Sequence, residues 1–111
     1  MSKGYIYCIT NPSWENYYKI GLSVDVVKRL SSYQTGSPLR DYIIERSWYV
    51  SNMNNVEEIL HEAFKGYRAG GEWFTYESKD KLLTMIEDII LHIRTNEEDL
   101  RIYIDNKIKA T

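Results

Sequence analysis

Gly4-Tyr5-Ile6-Tyr7-Cys8-Ile9-Thr10, followed by Asn11-Pro12, is the stretch on which the fold turns. It is dense in aromatic and β-branched residues and ends in a turn signal, so it reads as a strand. Alternation puts Tyr5, Tyr7 and Ile9 on one side and Ile6 and Cys8 on the other. One of those sides has to be the core. After a loop carrying Trp14, residues 17–21 (Tyr17-Tyr18-Lys19-Ile20-Gly21) read as a second short strand. A hairpin is the simplest link between the two. Strands this close leave no room for a crossover helix, which excludes a βαβαβ dinucleotide-binding fold.

Working outward, Ser23 or Asp25 can cap a helix over about 25 to 34, with Val26, Val27, Leu30 and Tyr33 as its apolar stripe. Thr35-Gly36-Ser37-Pro38 stops it. Residues 41–50 read as a third strand. A helix opened by Asn52 or Asn54 runs to about 66 and buries Val56, Ile59, Leu60, Ala63 and Phe64. Residues 67–71 are a loop, Trp73 and Phe74 are extended or irregular, and a helix follows from about 78 to 93. Asn96 opens a last helix, about 97–109. The pattern predicts an α/β (α+β) domain with a small three-stranded sheet flanked by helices. The expected unit is a single domain over 1–111 with its core at about 4–93.

Composition narrows the function. With 43% hydrophobic and 27% charged residues, disorder is not expected. A single cysteine, Cys8, excludes a disulfide framework and leaves little room for a zinc site. No run is long enough to cross a membrane, and no signal-peptide region opens the chain. A soluble intracellular protein, cytoplasmic or in the nucleoid or nucleus, is expected. The net charge is −2, but residues 1–50 carry six basic and four acidic side chains, and residues 51–111 carry eight and twelve. A face for a polyanion therefore has to come from the first half.

Four side chains stand out chemically. Tyr7 offers a phenol; beside cations it should lose its proton more easily and accept one from water. Lys19 can snorkel to solvent or face a phosphate. Arg29, early in a helix, offers a planar fork to phosphate oxygens, with Lys28 beside it. Arg40 and Arg46 would extend that patch, offset by Asp41 and Glu45. Glu72, between Gly70-Gly71 and Trp73-Phe74, is a carboxylate held between a flexible loop and apolar bulk, where it can ligate Mg²⁺. His61 can act as a base or a phosphate contact. Taken singly, each has a simpler structural account: a half-buried tyrosine, a solvated lysine, a surface arginine, a loop acid, a boundary histidine.

Taken together, they resemble the GIY-YIG nuclease superfamily, in its compact branch described as a phage-type DNA-binding domain or meiotically up-regulated gene domain. Tyr5-Ile6-Tyr7 looks like the first motif, with Tyr5 where glycine is usual. Lys19-Ile20-Gly21 looks like the second, within the Tyr-Lys-Ile-Gly form of the compact branch. Ser23, Asp25 and Lys28-Arg29-Leu30 continue the pattern, as does Gln34-Thr35-Gly36-Ser37-Pro38. Glu57, Leu60-His61, Phe64 and Gly71-Glu72-Trp73-Phe74 resemble the second half.

The likeness spans about residues 4–76. It implies an antiparallel three-stranded sheet between helices, and catalytic roles for Tyr7, Lys19, Arg29 and Glu72. Tyr5, Tyr18 and His61 are auxiliary candidates. Lys19, Lys28, Arg29 and Arg40 would bind nucleic acid, and Glu72 would hold Mg²⁺ or Mn²⁺. The implied activity is metal-dependent DNA endonuclease cleavage leaving a 5′-phosphate. The alternative is a catalytically inactive DNA-binding module of the same fold. A third reading is protein interaction through exposed Trp14, Tyr18 and Trp48. DNA is the expected partner, with a homodimer, a DNA-targeting partner protein, or a viral or mobile-element context supplying what so short a chain lacks.

Overall fold

A computed structural model describes residues 2–95. The last helix expected at about 97–109 lies outside the described residues. The first strand, β1 (Gly4–Thr10), pairs antiparallel with β2 (Tyr17–Ser23) through a loop closed by Asn11 and Asn16. The Asn11 side chain accepts from the Ser13 amide at 2.9 Å and donates to Asp41 at 2.9 Å. Asn16 sits at φ 65°, a left-handed conformation that asparagine tolerates better than most residues. Helix α1 (Val26–Thr35) then carries the chain to β3 (Ile43–Val50), which pairs antiparallel on the other side of β1. Asp25 caps α1 by accepting from the Lys28 amide, and Asn52 caps α2 (Met53–Ala63) by accepting from the Asn55 amide.

The sheet is wider than the three strands expected. After a 3₁₀ turn at Lys65–Tyr67, two short strands, β4 (Arg68–Gly70) and β5 (Trp73–Thr75), form a hairpin whose β5 arm pairs with β2. The resulting five-stranded antiparallel order is β3-β1-β2-β5-β4. Three-residue strands show no alternation a reader can detect, which is why this hairpin reads as loop. Gly71, at φ 57°, makes the reversal between them. Helix α3 (Lys79–Thr95) completes the described chain.

The second correction concerns the sheet faces. Both sides of β1 are buried, not one. Ile6 and Cys8 join the larger cluster beneath α2 and α3, with Ile20, Leu60, Phe64, Phe74, Ile86 and Ile90. Tyr7 and Ile9 enter a smaller cluster on the other side, roofed by Val26, Leu30 and Tyr33 of α1 and by Tyr42 and Ile44. The sheet is thus the middle of three layers, and its two faces have different jobs. The α2–α3 face carries most of the apolar burial that stabilises the fold. The α1 face is lined with hydroxyls and charge.

Candidate functional site

Register decides which side chains meet. Tyr7 lies opposite Gly21, and Ile9 lies opposite Lys19, so Tyr7, Lys19 and Gly21 share the α1 face. Trp73 lies opposite Lys19 and joins the same face. The pairing of β5 with β2 ends there, and Ile20 N–H donates to the Glu72 carbonyl at 3.0 Å. Glu72 is the second residue of the Gly71-Glu72 turn, so a tight hairpin docked on β2 fixes its position. A Cβ added to Gly21 would stand 2.6 Å from Tyr7 Cζ and 2.8 Å from Glu72 Oε2. The missing side chain is what lets phenol and carboxylate converge on one small space.

Lys19 reaches into the same space. Its Nζ is 3.8 Å from Glu72 Oε2, 5.1 Å from the Tyr33 ring centre and 5.4 Å from that of Trp73. The Lys19 side chain is 17% exposed and that of Glu72 40%, so the pair sits at the mouth of the site rather than inside it. Tyr7 is the deepest member, only 1% exposed, and its hydroxyl is 2.7 Å from that of Tyr33. Arg29 stands exposed on the first turn of α1, near enough for its charge to act on the Tyr7 phenol.

The acidity of Tyr7 corrects the expectation from sequence. Its pKa is pushed up, not down. Burial is the main cause, followed by the hydrogen bond and charge of Tyr33 and the negative charge of Glu72; Arg29 pulls the other way and is outweighed. A buried phenolate loses its hydration, and one partly distant guanidinium does not replace it. In the resting site Tyr7 is a neutral phenol.

The remaining candidates are placed as follows. Tyr5 is half-buried on the same face, edge-on to Tyr49 at 5.2 Å, one alternate position away from Tyr7. Tyr18 points to the opposite face and is buried in the larger core, as is Trp48, so neither forms an exposed surface with Trp14. Lys28 and Arg40 are exposed, Arg40 in the loop after α1 at φ 49°. His61 stands on α2, its Nε2 2.9 Å from the Ile20 carbonyl and its ring against Phe74. It stands on the α2 side of the sheet, where Phe74 is buried, and not on the face that carries Tyr7 and Lys19.

Two neighbours of the site lay outside the four candidates. Tyr33, part of a helix stripe in the sequence, holds the Tyr7 hydroxyl. Glu57, one helical turn before His61, has a buried Oε2 with no hydrogen-bond partner. Its pKa is raised, first by burial, with the Glu72 charge adding and His61 opposing. The Glu57-x-x-x-His61 spacing, which puts both on one helix face, was the available signal.

A small antiparallel sheet with a tyrosine, a lysine and a glutamate meeting on one face, within reach of an arginine's charge, agrees with the class to which the likeness pointed. The T5orf172 domain model matches residues 4–93, and the chain belongs to that family. T5orf172 domains are associated with GIY-YIG nuclease domains, in agreement with the motif reading. No curated protein and no solved structure matches the chain.

Proposed function

We propose that the chain is a metal-dependent DNA endonuclease that hydrolyses a phosphodiester bond and leaves a 5′-phosphate. The observation that carries this reading is the convergence of Tyr7 Oη and Glu72 Oε2 over Gly21, with Lys19 Nζ at the mouth. A phosphate placed there meets a proton acceptor, a cation and a metal ligand at once.

The residues suit a hard cation. Glu72 Oε2 faces the gap, and Glu57 Oε2 is buried with no protein partner, so both are oxygen donors of the kind Mg²⁺ and Mn²⁺ take. Among the described residues no set of three His, Cys, Asp or Glu side chains forms a complete cage. Waters and phosphate oxygens would fill the rest of the shell. Bound there, the ion would supply Lewis-acid withdrawal of charge from the phosphate and the leaving 3′ oxygen.

A water attacks phosphorus in line, the bond to the 3′ oxygen breaks, and that oxygen leaves with a proton from solvent. Since Tyr7 is neutral at rest, it takes the water's proton only as it passes its own to Tyr33 Oη, 2.7 Å away. Tyr33 is half-buried and releases a proton outward. Lys19 and Arg29 offset the charge growing on the phosphorane oxygens, where electrostatic help matters most.

The raised Tyr7 pKa favours a second reading, a DNA-binding module of the same fold that does not cut. Lys19, Lys28, Arg29 and Arg40 would then supply salt-sensitive affinity alone. Supercoiled and branched DNA, incubated with Mg²⁺, Mn²⁺ or EDTA, separates the two. Cutting that needs the metal and is lost in Glu72→Ala and Tyr7→Phe supports the nuclease. Cutting that survives both substitutions rejects the mechanism, and binding without cutting selects the module.

A further inference from the structure

Beside the phosphate site, on the same sheet face, lies an open groove of about 430 Å³ lined by Trp14, Tyr17, Ala69, Gly70 and Trp73. Its walls are almost wholly apolar, yet it opens to solvent. Trp14 is 48% exposed and Tyr17 43%. Aromatic surface left open in this way, on a chain with two well-filled cores, marks a binding surface.

The groove is also rigidly built. The Trp14 amide donates to the Asn11 carbonyl at 2.9 Å, and the Tyr17 amide donates to the Trp14 carbonyl. The Trp14 ring stands edge-on to Trp73 at 5.7 Å and against Tyr42 at 6.1 Å. Tyr17 is held by its pairing with Thr75, and Trp73 by its pairing with Lys19. The two sites share a wall, because Trp73 lines the groove and also lies under Lys19 Nζ. An apolar aromatic cleft whose shared wall, Trp73, lies under the Lys19 ammonium matches one repeating unit: an aromatic base carried on an anionic backbone.

We propose that this groove takes an unpaired nucleobase of the strand whose phosphate lies at Lys19 and Glu72. The inference rests on the nuclease reading for its substrate and adds the class: DNA with unstacked bases next to the bond, as at a junction, flap or single-stranded tract. A base in an intact duplex is stacked on its neighbours and cannot enter.

The test is binding without metal, in EDTA, so that no strand is cut. A labelled single-stranded thymidine oligomer is compared with an abasic strand of the same length, which keeps every phosphate and lacks the bases. The expected result is about ten-fold tighter binding of the base-carrying strand, the order of one good base–aromatic stack. Trp14→Ala and, separately, Tyr17→Ala bring that affinity down to the abasic level, and Trp14→Phe restores most of it. Circular dichroism checks that each variant is folded. Equal affinity of the native chain for both strands overturns the proposal, as does binding to neither, or base-dependent binding that both alanine variants keep. Metal-dependent cutting without base dependence removes the groove proposal alone. Base-dependent binding without cutting removes the nuclease reading alone.

Discussion

The hydroxyls of Tyr7 and Tyr33 lie 2.7 Å apart, joining the floor of the sheet to helix α1 beneath the ammonium of Lys19. Neither residue can be described without the other. Tyr7 is buried and kept protonated, and Tyr33 is the partner through which it reaches solvent. Tyr33→Phe removes the relay and leaves the ring packing in place. It is expected to lower kcat by about 10²-fold, within the usual worth of a positioned acid–base group, and to cost on the order of 1 kcal/mol in stability because the buried Tyr7 hydroxyl loses its partner. Single-turnover cleavage beside a melting curve reads both.

Gly21 is the narrowest point of the site. Gly21→Ala drives a methyl group against the Tyr7 phenol and the Glu72 carboxylate. The ring is held on both sides and cannot swing away. A loss of about 1–3 kcal/mol in stability is expected, as for overpacking elsewhere, together with loss of cutting. Urea unfolding measures the first, and the second should persist at temperatures where the variant is still folded.

Glu57 is costly to the fold in its ionised form. Its unpartnered buried oxygen makes the ionised form costly, which is why its pKa is raised. Glu57→Gln is expected to stabilise the fold by on the order of 1 kcal/mol at neutral pH, the scale of one unsatisfied buried group. The sign follows from the direction of the shift. A carboxyl with a raised pKa opposes folding above its ordinary range, so the gain fades as the pH falls and Glu57 itself becomes neutral. Melting temperatures measured from pH 4 to pH 8 trace it.

Alkaline pH should open the fold from the sheet outward. The Cys8 thiol is pushed up to about 12 and the Tyr7 phenol is raised further still, both chiefly by burial. Each group keeps its proton in the native state after the unfolded chain has lost it. Stability from Cys8 is therefore full below about pH 9 and lost above it, and that from Tyr7 is lost above about pH 10. Cys8→Ala should flatten the first part of the decline and Tyr7→Phe the second, in denaturant midpoints followed against pH.

Arg29 is exposed, and its charge acts on the site without burial. Arg29→Ala should leave the melting temperature unchanged. It should weaken DNA binding and reduce the slope of log affinity against log salt by about one unit, as for a single lost phosphate contact. A salt titration by fluorescence anisotropy is sufficient.

The first strand, the hairpin, three helices and the motif residues were legible in the sequence, because each is a local signal. Alternation in Gly4–Thr10, the cap at Asp25 and the glycine pair before Glu72 depend on neighbours within a few residues. The order of Tyr7, Lys19, Arg29 and Glu72 along the chain was enough to name the class. What the tertiary structure alone decided is long-range. A three-residue strand at Trp73–Thr75 exists only because β2 offers it an edge. Tyr33 meets Tyr7 only because α1 folds back over β1, and Glu57 feels the Glu72 charge only because α2 packs across β2. The acidity of Tyr7 could not be read from nearby lysines and arginines, since burial on a second core face outweighs them. Chain order lists the charges, but their distances and their hydration, which set the chemistry, are properties of the packed sheet.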